Sequence, residues 1–210
     1  QYAHKVAMSS RPERRPAILL LANAVFSSPL ESDELLEVAV GCGNLELVYR
    51  LVKQNAKTAV DLSRIWSSTD GNREAAKWKC KLLPLLVTSH LTLVQPHITG
   101  LLFNKDVSTR EQMAKSLSKV KLTQGFVESV IAALPSLHVP HESDLPVMHG
   151  VCMLIGYGIL RRTIDIQLYK HILATPLKRC LWFDYCKGTF SVGSVVRDAA
   201  CFVVWAWSRR

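Results

Sequence analysis

The segment Cys186-Lys187-Gly188-Thr189-Phe190-Ser191-Val192-Gly193-Ser194 comes nearest to a chemical motif, because Gly188 and Gly193 have the separation of the glycines in a phosphate-binding loop. Such a loop needs lysine directly after the second glycine to reach the phosphates. Here that position is Ser194, and no strand-like run precedes the segment. His138, His141, Glu142 and Asp144 are metal-ligating types, yet Pro140 stiffens the stretch and no cysteine completes a tetrahedral set. A solvated loop is the plainer reading. Cys180, Cys186 and His171 would have to meet to act as nucleophile and base, and nothing in their spacing brings them together. Buried, inert cysteine is the default. Trp182, Phe183 and Tyr185 beside Lys187 have the aromatic and basic character that stacks on bases or grips a partner, and also that of packing between helices. Trp182, Tyr185 and Lys187 are kept as a candidate partner surface. No catalytic, cofactor or metal site is expected, and the chain is not expected to be an enzyme.

The elements that hold these residues read as helices. After the polar turn Asn104-Lys105-Asp106, the pattern Ser108-x-x-Glu111 predicts a capped helix with Met113, Leu117 and Val120 on one face. Pro96 is expected to open the helix before it. Thr123 is a candidate N-cap for a stripe of Phe126, Val127, Val130, Ile131 and Leu134, which Pro135 ends. Val147 to Leu160 is a largely apolar helix. A third pair runs from about Ile164 to Phe183, interrupted near Pro176, and from Ser194 to Trp207. Upstream, Ala17 to Phe26, Asp33 to Val40, Leu45 to Lys53, Thr58 to Trp66 and Arg73 to Leu83 are candidate helices, with Gly41 and Gly43 as breakers and Ser67 to Asn72 as a loop. No alternating pattern is long enough for a sheet.

The second helix of each downstream pair opens alike: Arg110 with Ala114, His149 with Cys152, and Arg197 with Ala199, Ala200 and Cys201. The offsets, 39 residues from Arg110 to His149 and 48 from there to Arg197, lie near the ~40–47 residue period of HEAT and armadillo repeats. Small residues there let neighbouring helices approach closely. The expected fold is all-α, an α-solenoid of HEAT/armadillo-type hairpins. Weakly defined helical repeats would occupy residues 1–90, and three helix pairs about 91–121, 122–161 and 162–210, in one continuous segment.

An apolar fraction of 49% with 20% charged residues excludes a disordered chain. Lysine and arginine outnumber acids 26 to 17, a net charge of +9 that favours acidic partners, although only Arg11, Arg14 and Arg15 cluster. Six cysteines without a C-x-x-C pair fit a reducing compartment. No apolar run reaches the ~18–20 residues that span a bilayer. The basic group followed by Ala17 to Phe26 imitates a secretory signal, but residues precede Met8 and the cysteines are not those of a secreted scaffold. The chain reads as a piece of something longer.

The string Ser191-Val192-Gly193-Ser194-Val195-Val196-Arg197-Asp198-Ala199-Ala200-Cys201-Phe202-Val203-Val204-Trp205-Ala206 resembles a segment of the tubulin-folding cofactor D family, also called tubulin-specific chaperone D. His149-Gly150-Val151-Cys152 with Arg161-Arg162 resembles the family's preceding repeat, and Asn104-Lys105-Asp106 through Arg110, Ala114 and Lys115 the one before. Met148 stands where the family commonly has tryptophan, and Gly156-Tyr157 where it has an acid. The resemblance covers about the second half, and residues 1–90 add no distinctive motif. It implies a cytoplasmic, cytoskeleton-associated HEAT protein that captures β-tubulin. With cofactors C and E and an Arf-like small GTPase, such a protein assembles or takes apart the α/β-tubulin heterodimer. No cofactor and no catalytic residue is carried over, and the matched residues are expected to serve repeat packing. Two other readings are a generic HEAT interaction scaffold and a basic nucleic-acid-binding module; nucleic acid is not the expected partner.

Overall fold

The computed structural model describes residues 32–41, 43–54, 65–66, 73–85, 88–135 and 141–210. The candidate helix Ala17 to Phe26, the Arg11 to Arg15 group, the loop Ser67 to Asn72, His138 and Pro140 lie outside them, as does all but the end of Thr58 to Trp66. The chain forms two compact units, residues 1–94 and 95–210. No described helix is long and apolar enough to cross a membrane.

In the first unit, α1 (Ser32–Gly41) packs on α2 (Leu45–Gln54), which packs on α3 (Arg73–Leu82). Gly43 supplies the left-handed turn, φ +64°, between the first two. The apolar residues of α2 fall on one face, and Leu45, Val48, Leu51 and Val52 are buried there. Lys81 lies 4.1 Å from the Trp78 ring centroid, on the exterior of α3.

The helix α4 (Thr88–Leu102) enters the second unit and is followed by α5 (Val107–Leu117), α6 (Gln124–Ala132), α7 (Asp144–Arg161), α8 (Ile166–Leu181) and α9 (Ser194–Ser208). Its centre is α7, which packs most extensively on α9 and next on α5, while α8 meets α9 and α6. That position explains its composition: Met148 through Gly156 are all buried, as an all-round apolar helix requires. On α9 the buried stripe is Val196, Ala199, Ala200, Val203 and Ala206, and burying each valine contributes about 1.5–3 kcal/mol. Two glycines set the spacing of these layers. A Cβ on Gly150 would strike the Leu102 carbonyl oxygen, and one on Gly156 the Phe202 ring.

Four expectations are corrected. The helix before the Asn104 turn begins at Thr88 and runs through Pro96. Pro176 lies inside an uninterrupted α8; packing on α9 and α6 outweighs the loss of one main-chain bond. The cap of α5 is Asp106, whose Oδ2 accepts from the Thr109 N–H at 2.8 Å, whereas Ser108 already lies within the helix. A carboxylate at the helix N-terminus also meets its positive dipole end. Lastly, the loop after α8 holds a short antiparallel hairpin, β1 (Cys186–Lys187) with β2 (Phe190–Ser191), turning at Gly188 with φ +63°. Thr123 caps α6 by accepting from Phe126 N–H.

Two alanine substitutions separate close approach from helix propensity. Gly150→Ala should lower stability by at least about 1–3 kcal/mol, since the obstacle is backbone. Gly125→Ala, in α6 with open space around it, should raise stability by about 0.4–1 kcal/mol. Urea unfolding of both variants checks this; equal effects would show that the α7 contact is not tight.

Candidate functional site

Arg110 is 1% exposed, the most thoroughly buried cation of the second unit among the described residues. Its Nε–H donates to His149 Nδ1 at 3.0 Å, and its Nη1 donates to the carbonyls of Asn104 at 2.7 Å and Lys105 at 3.0 Å. One guanidinium thus ties α5 to the turn before it and to α7. Burial lowers the arginine pKa and the charges of Asp106 and Glu111 oppose that shift, so the group stays cationic. His149 must then accept at Nδ1, which places its proton on Nε2. Burial, then the adjacent Arg110 charge, push its pKa down to about 4.

Arg197 fastens α9 to the loop before it, as Arg110 fastens α5 to its turn. Its Nη1 donates to the Phe183 carbonyl at 2.7 Å and meets Asp184 Oδ1 at 3.2 Å, fastening the end of α8 to the start of α9. Ser191 Oγ donates to the same Asp184 carboxylate, and this bond, with Arg197, holds its pKa below the ordinary carboxylate range. Val192 N–H donates to the Tyr185 carbonyl at 2.8 Å, closing the base of the hairpin. Gly193, buried against the Phe183 carbonyl, is the cap residue just before α9. The segment that resembled a phosphate loop is this anchored hairpin.

The other motif residues divide by burial. Ala114, Gly150, Cys152, Val196, Ala199, Ala200 and Ala206 lie in helix interfaces, whereas Asp198 and Cys201 are exposed. Cys201 therefore differs from the packed position its apolar neighbours suggested. Trp205 is 45% exposed, stacked on Phe202 at 5.9 Å and beneath Arg209. Gly156-Tyr157, the departure from the family pattern, makes the α7–α9 contact: Tyr157 meets Phe202 edge-on at 5.0 Å.

The remaining chemical candidates do not assemble. Cys180 is buried against Cys152, whose pKa is raised first by that thiol contact and then by burial, while Cys186 and His171 are exposed. His141 bonds Ser143 within its own turn, and the described residues contain no cluster of three metal-ligating side chains. Trp182 is 79% exposed and Tyr185 half-buried, and Lys187 pairs with Glu142 at 3.1 Å on the surface. Sequence reasoning missed Phe190, 75% exposed at the hairpin, because a two-residue strand leaves no alternation to read.

Helical hairpins stacked in layers, with a recurrent basic residue opening the second helix, define a repeat protein of the HEAT/armadillo class. The family model described as tubulin-specific chaperone D-like, ARM repeats, matches residues 48–210, and the chain belongs to that family. Tubulin-specific chaperone D of Dictyostelium discoideum is 35% identical over 68 residues, 32% of this chain and 4% of that relative's length. No solved structure matches.

The lowered His149 pKa has a definite sign. The fold binds the neutral imidazole, so its contribution is complete above the unfolded value of 6.5 and is lost as pH falls toward about 4. The full span corresponds to about 3 kcal/mol at 1.36 kcal/mol per unit. Urea unfolding at pH 7.5 and 4.5 should show His149→Gln losing clearly less stability on acidification than the parent. Equal losses would place His149 in contact with water.

Proposed function

We propose that this chain is a scaffold segment of a tubulin chaperone that binds β-tubulin. In this reading it takes part in assembly and disassembly of the α/β-tubulin heterodimer, together with tubulin-folding cofactors C and E and an Arf-like small GTPase, in the cytoplasm and at the cytoskeleton. The observation that carries the proposal is the family match, which runs through all three positions Arg110, His149 and Arg197. The name of the Dictyostelium relative supports the same partner. A net charge of +9 suits an acidic protein such as tubulin. Any effect on GTP hydrolysis belongs to the assembly, and the segment contributes binding energy and geometry. We propose helix pairs at about 91–121, 122–161 and 162–210 as its repeat units.

The partner surface we propose is the end of α8 and the hairpin: Trp182, Tyr185 and Lys187. Trp182 offers a large apolar area that solvent now covers, and aromatic anchors of this kind carry much of the energy of protein interfaces. Its mounting is firm, through Arg197, Asp184 and Ser191.

Pull-down from cell extract with the full-length protein should recover tubulin. Trp182→Ala with Lys187→Glu should reduce recovery, more strongly at low salt than at high salt, while changing the melting temperature little, as exposed substitutions do. Failure of the parent protein to recover tubulin would remove the proposal. Undiminished recovery by the double variant would move the surface elsewhere on the chain.

A further inference from the structure

Leu168, Ile172, Thr175, Arg179 and Trp182 recur along α8 at helical spacing and share one stripe. Its two ends are apolar and wet, Leu168 at 55% exposure and Trp182 at 79%. Beside its middle, a groove of about 440 Å³ opens between α6 and α8, floored by Ile131 and Leu134 on one side and by Ile172 and Pro176 on the other. The small, exposed Ala132 lies at the lip.

The charges around the groove are unequal. Arg179 lines it and donates from Nη1 to the Pro135 carbonyl at 3.4 Å, keeping its charge, and Lys178 stands exposed alongside, while Glu128 is the one acid on the lining and accepts from Gln124 at 2.7 Å. Both walls are helices, whose main-chain groups pair along their own axes. An extended peptide would gain almost no main-chain bonds here. A helix can lay its ridge between two others.

We propose that the α6–α8 groove binds an amphipathic helix of a partner protein whose apolar stripe is flanked by acidic residues. Leu168 and Trp182 lie about 21 Å apart along the α8 axis at 1.5 Å per residue, so the occupant is about four turns long. Arg179 and Lys178 pair with its acids, and the apolar floor receives its central side chains. This inference goes beyond the tubulin reading and stands whether or not tubulin supplies the helix.

The test uses the full chain and two synthetic helical peptides of about 18 residues with the same leucine stripe, one flanked by glutamates and one by lysines. Fluorescence anisotropy should show the glutamate peptide binding at least about tenfold more tightly, and less so as salt is raised. Ala132→Arg blocks the lip while adding positive charge, so a loss of binding there reports the groove and not the field. Leu168→Ser removes an exposed anchor and should also weaken binding. Both variants should melt as the parent does; if Ala132→Arg does not, Leu168→Ser decides. Failure of the glutamate peptide to bind, equal affinity for the two peptides, or binding insensitive to both variants would overturn the proposal. So would binding to phosphatidylserine vesicles that Ala132→Arg abolishes, which would assign the groove to a membrane surface.

Discussion

The Arg110 guanidinium sits at 1% exposure between α5 and α7. Removing such a charge from water costs several kcal/mol unless its donors find acceptors. Here the Asn104 and Lys105 carbonyls and the His149 ring meet three of its five N–H groups, and Nη2 stays buried without an acceptor, a cost the other three bonds must offset. Lysine, with a point charge and no planar fork, could not reach the turn and the next helix together. The surrounding arrangement follows. The α4–α5 turn must present its carbonyls inward, Asp106 must cap α5 beside the cation, and His149 must remain neutral. Gly150 then lies against the end of α4, where no side chain would fit.

Arg197 repeats the loop-fastening half of this device without the cross-helix half, because its second contact is the Asp184 carboxylate and not a neighbouring helix. The consequence is functional as well as structural. Fastening Phe183 and Asp184 fixes the direction in which the hairpin leaves the stack, and with it the positions of Trp182 and Phe190. An exposed aromatic on a fixed mount loses less entropy on binding than one on a free loop.

Much of this was legible in the sequence because helices advertise themselves locally. The stripe Phe126 to Leu134, the Thr123 cap and the apolar run of α7 required no tertiary information. The recurrence of Arg110, His149 and Arg197 was visible as spacing, and their chemistry was not: no pattern tells that two of them are bonded across successive hairpins. Pro176 misled because proline's local penalty, about 3 kcal/mol, was outweighed by packing on α9 and α6 that only the fold supplies. The groove between α6 and α8 was invisible for the same reason, since Ala132 and Ile172 read as ordinary helix residues until their helices are placed side by side. Cys152 and Cys180 gave no signal of meeting, as each looks like a small apolar residue within its own helix.

The Arg110–His149 bond couples one hairpin to the next, and a double-mutant cycle measures that coupling. Urea unfolding at pH 7.5 of the parent, Arg110→Met, His149→Leu and the double variant gives the coupling free energy directly. A coupling of more than about 1 kcal/mol is expected, the double variant being less damaged than the two singles added, because removing either partner alone leaves the other buried without its bond. Additivity to within about 0.5 kcal/mol would contradict it, and would mean that the arginine serves its own turn alone.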